Sequence, residues 1–310
     1  MSAMEDCVVD DIYPTRYGTE TDVTPRIDPV IHSEWTPSAP LTLSQTKDFE
    51  RDGFLILEGL FDAAEIRSLN AAARSLLARP HNLDRETVIR EPHGALVRSI
   101  FRIHAQDRLF ARLAADARIA AVARFLLGDE VYVHQSRLNY KPGFRGADFF
   151  WHSDFETWHA EDGLPRMRAV SASILLTAND ANNGPLMLVP GSHRTFISCI
   201  GETPEDHYKA SLRRQEFGIP DPATLERMVA ENGITAATGQ AGTLILFDCN
   251  TIHGSNSNIT PHPRSNAFFV YNAVSNRVTT PFAAKAPRPD FLSARGTPEP
   301  VAPEHGRIGW

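Results

Sequence analysis

The chain has 310 residues, 42% of them hydrophobic and 22% charged, which is enough to bury a full core as one domain with terminal extensions. Its formal net charge of −7 offers no basic surface for a polyanion, so nucleic acid is not an expected partner, whereas a small zwitterionic ligand fits that charge. No apolar run reaches transmembrane length and the start MSAMEDCVVDD has no signal-peptide core, so we expect a cytoplasmic protein without membrane contact.

The N-terminal region predicts an extended arm over residues 1–44 rather than a domain. Its prolines follow no sustained periodicity and include Pro14, Pro25, Pro29, Pro37 and Pro40. We expect this arm to pack across the surface of the domain that follows, which we assign to residues 45–295.

Helices are predicted early in that domain. The apolar run Phe54 to Leu57 predicts a short strand, and Asp62 with Glu65 three positions later forms a capping box that predicts a helix. A second helix is predicted from Ala117 to Leu127. Its cap and stop residues are Asp116 and Gly128.

The hydrophobic period then changes to two, which is typical of strands. Val131 to Lys141 predicts a strand whose odd positions share one face. Further strands are predicted at Val170–Ala178, Leu186–Val189, Thr243–Phe247 and Ala267–Tyr271. Many short strands after a helical section indicate a mainly β protein, a double-sheet jelly roll braced by flanking helices.

Two segments fall outside this pattern. Residues at about 200–240 form an insert that contains a predicted helix, Pro222 to Glu231. The Pro-rich stretch from Pro281 to Pro303 predicts irregular structure, and residues 296–310 are assigned to a C-terminal tail.

The strongest chemical signal is a possible metal site. His152 and Asp154 lie two positions apart, and in an extended segment such residues point to the same side, so both can bind one ion. His253, which follows a predicted strand, is the candidate third ligand. Two histidines and one carboxylate on one face of an ion leave the opposite face open, as expected of a non-haem Fe(II) oxygenase. The alternative is a hydrogen-bonded structural pair.

Other nearby residues are poorer ligand candidates. His159 and His193 are interpreted as structural, because three protein ligands suffice. The three cysteines, Cys7, Cys199 and Cys249, are odd in number and widely spaced, which favours reduced thiols over a disulfide framework. Cys249 is interpreted as packing beside the site, since a soft thiolate suits zinc better than this set.

The segment FWHSDFETWHAEDGLP, from Phe150 to Pro165, resembles the signature of the ectoine hydroxylases in the phytanoyl-CoA hydroxylase superfamily of 2-oxoglutarate oxygenases. The similarity continues in DGFLILEGLF, VHQSRLNYKPGF, NNGPLMLVPGSHR and HGSNSNITPHPRSNAFFVYN, and it covers roughly residues 45–295. The HxD and PGSH motifs are moderately specific, whereas WHSDFETWHAEDG is highly specific. The resemblance implies a double-stranded β-helix of cupin-like form, with Fe(II), 2-oxoglutarate and O2 as the reacting partners.

The same resemblance assigns contacts with 2-oxoglutarate. Arg264, eleven residues after His253, has a planar fork that matches the distal carboxylate. Alternation along the strand puts Asn139 and Lys141 on the same face as Gln135. The alternative is the solvated face of a half-exposed strand. The full implied set is Asn139, Lys141, Phe149, Ser255, Arg264 and Asn266.

The implied substrate is L-ectoine, which carries a ring amidinium and a carboxylate. Aromatic faces attract such a cation, and Arg288 is the candidate partner for the carboxylate. For Phe247 and Phe268, core packing is an equally natural interpretation, whereas Trp158 lies in a polar run where packing is less expected. The implied substrate contacts are Gln135, Trp158, Phe247, Phe268 and Arg288.

The implied reaction hydroxylates ectoine to 5-hydroxyectoine in compatible-solute biosynthesis under osmotic or thermal stress, with O2 consumed and succinate and CO2 released. Halogenation is disfavoured, because related halogenases carry a small residue in place of Asp154. Two alternatives remain from sequence: a dioxygenase of the same superfamily acting on another small molecule, and a jelly-roll metal-binding protein without redox chemistry. A homodimer is compatible with either.

Overall fold

The computed structural model describes residues 10–91, 95–212 and 217–309. These ranges contain eight α-helices: α1 Leu43–Asp52, α2 Ala63–Ala78, α3 Ile103–Gln106, α4 Arg108–Ala114, α5 Ala117–Leu127, α6 Asp154–Thr157, α7 Tyr208–Ser211 and α8 Pro222–Asn232. None of the helices in the described part of the chain is long and apolar enough to cross a membrane.

The same ranges contain thirteen strands: β1 Asp22–Pro25, β2 Phe54–Leu57, β3 Val88–Arg90, β4 Val97–Phe101, β5 Val131–Lys141, β6 Phe149–His152, β7 Ala169–Leu175, β8 Leu186–Leu188, β9 Thr195–Ser198, β10 Thr235–Ala237, β11 Leu244–Asp248, β12 His253–Ser255 and β13 Arg264–Ala273. Seven of them form one sheet in the order β2-β11-β7-β13-β5-β4-β3, and four form a second sheet, β10-β8-β12-β6. Neighbouring strands run antiparallel throughout both sheets. The predicted jelly roll is confirmed.

Several predicted elements match the structure closely. Strand β5 has the predicted bounds, and α5 begins after the side-chain cap of Asp116 and ends at Gly128, whose φ is +58°. Both hydrogen bonds of the predicted capping box at Asp62 and Glu65 are present at the start of α2. Local capping chemistry therefore identifies these helix ends without tertiary information.

Strand ends next to the site differ from the prediction. Strand β13 begins at Arg264 rather than Ala267. The prediction missed its first three residues because they are polar and lie outside the apolar run. Strand β7 ends at Leu175 rather than Ala178, since Leu176 and Thr177 both donate to the carbonyl of Ser265 and leave the ladder. Strand β11 spans Leu244–Asp248 rather than the predicted Thr243 to Phe247.

Two hydrophobic clusters lie on either side of the large sheet. One joins the sheet to α2, α4 and α5 through fully buried residues such as Leu69, Phe110 and Ile119. The other includes Leu188 and Phe247, one from each sheet, and Phe155 of α6. The helical layer thus supports the large sheet from outside, while its inner face is left to line the space that the site occupies.

Residues of the N-terminal arm lie against the jelly roll. Strand β1 pairs with β9 in an antiparallel ribbon, and Tyr13 and Arg16 are buried although they precede the first helix. Near the other terminus, residues 281–303 contain no helix or strand, yet Val301 donates a backbone hydrogen bond to Val131 of β5.

Candidate metal centre and active site

The three predicted metal ligands meet at the edge of the small sheet. His152 ends β6 and is the register partner of His253, the first residue of β12, so their ring centroids lie 4.2 Å apart. Ser153 caps α6, which makes Asp154 the first helical residue. The Asp154 oxygens lie 3.6 Å from Nε2 of His152 and 3.9 Å from Nε2 of His253.

Hydrogen bonds set the orientation of both imidazoles. Nδ1 of His152 lies 2.8 Å from the carbonyl of Phe150, and Nδ1 of His253 lies 2.9 Å from that of Thr251. Because a carbonyl only accepts, each Nδ1 carries a proton, and Nε2 is the ring nitrogen that faces Asp154 and can bind an ion. Burial, and then the neighbouring His152, lowers the pKa of His253 to about 4, so this ring is neutral at pH 7.

This donor set fits ferrous iron. Within the described ranges it is the group of His, Cys, Asp and Glu side chains whose ligand atoms all lie within 4.8 Å of one another. Two imidazole nitrogens and one carboxylate oxygen are the donors of the facial Fe(II) sites of oxygenases. Cys249 is buried beside the site with its sulfur near Asp248 and lies outside the group, as predicted.

The other two histidines considered from sequence are structural. Nδ1 of His159 lies 2.8 Å from the carbonyl of Leu164, and its ring stacks on Phe282 at 4.1 Å. Nε2 of His193 lies 3.2 Å from the carbonyl of Glu50. Both rings are therefore engaged in contacts away from the three ligands.

A cavity of ≈ 780 Å³, counted with its opening to solvent, lies between the two sheets beside the histidines. His152 and His253 line it, together with all six residues predicted to contact 2-oxoglutarate: Asn139, Lys141, Phe149, Ser255, Arg264 and Asn266. Only the second half of the predicted face of β5 lines this cavity, through Arg137, Asn139 and Lys141. The register shifts between Gln135 and Val133, so Val131 and Val133 pack on the helical side instead.

One end of the cavity is strongly cationic. The guanidinium of Arg264 is buried, donates to the carbonyl of Gly184 and leaves its Nε without a hydrogen-bond partner. Burial, followed by repulsion from Arg98, lowers its pKa to about 10. Lys141 donates to the hydroxyl of Ser255 at 3.0 Å, and burial with nearby Arg264 lowers its pKa to about 6. An anion bound here would relieve both groups.

Sequence reasoning missed other cavity residues. Arg137 lies on the same face of β5 as Asn139, so its odd position in the strand was the available signal. Its Nε has no hydrogen-bond partner, and its guanidinium lies 4.3 Å from the ring centroid of Phe268. The remaining lining residues, to which the sequence assigned no role, are Arg98, Ser99, Phe101, Ser173, Leu186, Leu212 and Gly254.

The predicted substrate residues divide into two groups. Phe247 and Phe268 line the cavity, with ring centroids 5.9 Å apart. Gln135, Trp158 and Arg288 do not line it. Gln135 accepts from Arg137 at 3.1 Å, and Arg288 forms a buried bidentate pair with Asp162.

Trp158 is 3% exposed and packs in the inner hydrophobic cluster. Its surroundings differ from the sequence interpretation, because the polar run around it folds inward: Glu156, His159 and Glu161 are buried as well. The turn from Trp158 to Asp162 is π-helical. Because a π-helical turn contains more residues than an α-helical one, the α-helical period does not predict which of its side chains face the core.

The family model described as phytanoyl-CoA dioxygenase (PhyH) matches residues 49–266. The chain belongs to the phytanoyl-CoA dioxygenase family. Within it, the chain is 58% identical over 298 residues to the ectoine dioxygenase of Sphingopyxis alaskensis, covering 96% of this chain and 97% of that protein. It is 53% identical over 285 residues to the ectoine dioxygenase of Halomonas elongata, covering 91% and 86%.

Solved structures of this family agree with the fold. EctD from S. alaskensis with 2-oxoglutarate and 5-hydroxyectoine superposes with a TM-score of 0.90 at 54% identity, covering 97% of this chain and all of that one. EctD from S. alaskensis with bound Fe gives a TM-score of 0.88 over the same 97% and 100%. The resemblance to ectoine hydroxylases inferred from the sequence is confirmed.

Proposed function

We propose that this protein is an ectoine dioxygenase that hydroxylates L-ectoine to 5-hydroxyectoine. The observation that carries this proposal is the buried set His152, Asp154 and His253 at the edge of a cavity whose far end holds the unpaired guanidinium of Arg264. A relative 58% identical over almost its whole length is an ectoine dioxygenase, and a 54% identical structure contains 2-oxoglutarate and 5-hydroxyectoine.

His152, Asp154 and His253 would hold the iron. When bound, the iron supplies the activation of O2 that is coupled to conversion of 2-oxoglutarate into succinate and CO2. The carbonyls of Phe150 and Thr251 bind Nδ1 of the two rings, so Nε2 of each is the nitrogen that faces Asp154. Such fixed ligands leave one face of the ion free for co-substrates.

The cationic end of the cavity selects a dianion. Arg264 offers a planar fork, Lys141 becomes charged when an anion binds because its pKa is lowered to about 6 in the empty site, and Asn139 and Asn266 add amide groups. A guanidinium that is buried without a carboxylate partner is costly, and 2-oxoglutarate supplies that partner with its distal carboxylate.

Ectoine fits the remaining wall of the cavity. Phe247 and Phe268 present ring faces on which its amidinium can lie, and Arg137 is a cation without an assigned carboxylate partner. Contacts of ectoine with Gln135, Trp158 and Arg288 remain part of the proposal. For Arg288 they require that its pair with Asp162 open, so we assign the first carboxylate contact to Arg137.

The direct test is an aerobic incubation of the purified protein with Fe(II), 2-oxoglutarate and ectoine, followed by mass spectrometry. We expect an ectoine product heavier by one oxygen atom, and none with Asp154→Ala. The matched control is His262→Ala, since His262 is an exposed histidine nine residues after His253. Succinate formation that never depends on ectoine would contradict the proposed substrate, and loss of activity in the control would contradict the ligand assignment.

We further propose a cytoplasmic location and a homodimer. The location rests on the acidic start of the sequence, and the homodimer is compatible with the sequence; sedimentation of the purified protein tests the second. A single species at the mass of one chain, 34.3 kDa, would contradict the dimer.

A further inference from the structure

The segment that carries the carboxylate of Asp154 contains three further buried acids. We call residues 154–162 the ligand segment; it consists of α6 and the π-helical turn. Besides Asp154 it holds three carboxylates with at most 2% residual exposure, Glu156, Glu161 and Asp162. Asp162 is paired with Arg288, which also lies 3.9 Å from Glu161, and both Glu156 and Glu161 pair with Arg16 of the N-terminal arm.

Arg16 of the arm pairs with both of these acids. Its Nε and Nη2 donate to the two carboxylate oxygens of Glu156 at 2.9 and 2.8 Å. Its Nη1 donates to Glu161 at 2.7 Å. The hydroxyl of Thr15 adds a bond of 2.9 Å to Glu156. A bidentate guanidinium with almost no exposure fixes the acids in orientation as well as in charge.

The backbone at Arg16 and at Gly218 supports the contact between Arg16 and Glu156. Arg16 has a φ of +59°, a left-handed conformation that non-glycine residues avoid, and its amide donates to the carbonyl of Cys199 at 2.8 Å. Gly218 of the insert closes over the pair. A Cβ at Gly218 would lie 2.3 Å from the Glu156 carboxylate and 2.4 Å from the Arg16 guanidinium.

We infer that Arg16 is a positioning residue for the metal centre. By holding Glu156 and Glu161, it fixes the first turn of the ligand segment, and therefore the direction in which Asp154 presents its carboxylate to the two imidazoles. This inference rests on the metal site of the proposed function. It extends that site to an arm more than one hundred residues earlier in the chain.

The direction in which cation binding changes when Arg16 is removed distinguishes a positioning role from a purely electrostatic role. If Arg16 acted only through its charge, its removal would leave more negative charge near the ion and strengthen cation binding. If Arg16 positions Asp154, its removal weakens cation binding in spite of that charge. Measured metal affinity therefore distinguishes the two roles.

The experiment titrates Co²⁺ into the metal-free full-length protein and follows the visible absorption of the bound ion. We expect Arg16→Met to weaken Co²⁺ binding by about tenfold or more and to alter the band shape, as loss of a supporting contact to a ligand does. Arg16→Lys keeps one charged donor and should recover part of the affinity.

Arg118→Met is the matched control. Arg118 also bridges two buried carboxylates, Glu65 at 2.7 Å and Asp116 at 2.8 Å, but lies in the helical layer. We expect this variant to melt at a lower temperature and to bind Co²⁺ within about twofold of wild type, since its contacts do not reach the ligands.

The double variant Arg16→Met/Glu156→Gln keeps the test decisive if Arg16→Met does not fold. It neutralises Glu156, which loses its ion-pair partner, while Glu161 keeps Arg288 at 3.9 Å. We therefore expect the melting temperature to recover while Co²⁺ binding stays weak. Recovery of both would show that the loss was general destabilisation and would overturn the inference, as would unchanged Co²⁺ binding in Arg16→Met. Failure of the wild-type protein to bind Co²⁺ would instead contradict the proposed metal site itself.

Discussion

At the residue scale, we propose that Arg264 holds the distal carboxylate of 2-oxoglutarate. Its guanidinium is buried, and no carboxylate of the described residues pairs with it. Arg264→Ala should remove a charge-assisted pair of ~1.5–3 kcal/mol and so raise the KM for 2-oxoglutarate by roughly ten- to a hundredfold. The KM for ectoine should change far less. Steady-state kinetics with each substrate varied in turn tests this, and equal losses for both substrates in a folded variant would contradict it.

Lys141 gives the site a measurable proton linkage. Its pKa of about 6 in the ligand-free protein means that most molecules carry it neutral at pH 8. A bound dianion favours the charged form, so the pKa rises and binding takes up about one proton at pH 8. Affinity for 2-oxoglutarate should therefore fall as the pH rises above 6.

Calorimetry of 2-oxoglutarate binding in buffers of different ionisation enthalpy measures that proton. The apparent enthalpy should depend on the buffer at pH 8 in the wild-type protein and should lose that dependence in Lys141→Met. A wild-type enthalpy that is the same in every buffer would show that Lys141 does not change its protonation.

Trp158 tests whether a residue of the signature motif serves the core. Because it is 3% exposed in the inner cluster, Trp158→Ala should destabilise the protein by roughly 3–5 kcal/mol in urea unfolding. The ratio of succinate to hydroxylated product, measured on the folded variant, tests whether Trp158 also contacts ectoine. A raised ratio indicates contact with ectoine as well, and wild-type stability would contradict the core position.

At the scale of elements, the end of α5 connects the helical layer to the arm. Gly128 has a φ of +58°, and a Cβ there would lie 2.8 Å from the backbone oxygen of His32. Gly128→Ala should therefore cost more than the ~1–2 kcal/mol of a left-handed alanine alone. Gly59→Ala is the matched control, since Gly59 has a φ of +65° and nothing within 4 Å of its Cβ position. Equal unfolding free energies of the two variants would contradict a close contact between arm and helix.

Sequence could predict elements whose signals are local. The cap of α5, the capping box of α2 and the bounds of β5 rest on signals within a few residues, and all three match. The alternation of β5 holds only from Arg137 to Lys141, because the register shifts next to Val133. The ligand set was also predictable, because the i, i+2 spacing of His152 and Asp154 reports directly on side-chain direction.

Long-range pairings could not be predicted. Arg16 gives no local sign that it neutralises Glu156, since 140 residues separate them. Trp158 begins a π-helical turn, so neither the α-helical nor the strand period described its surroundings. Arg137 alternates correctly on β5, but only the assembled cavity shows that its face is buried rather than solvated.

At the scale of the whole molecule, charge is separated between surface and site. The chain carries a net charge of −7, yet the cavity wall brings together Arg98, Arg137, Lys141 and Arg264. A cationic cavity inside an anionic protein favours small anions that are polar enough to enter and small enough to fit. That separation matches a dianionic co-substrate and a zwitterionic substrate better than a large polyanion.

The central claim is that oxygen from O2 is transferred to ectoine at the His152, Asp154 and His253 site. Incubation of the iron-loaded protein with ¹⁸O₂, 2-oxoglutarate and ectoine, followed by mass spectrometry of product and succinate, tests it most directly. We expect ¹⁸O in the hydroxylated ectoine and in succinate, with about one succinate formed per product. Hydroxylated ectoine without ¹⁸O, or ¹⁸O-labelled succinate with no ectoine product, would contradict the account.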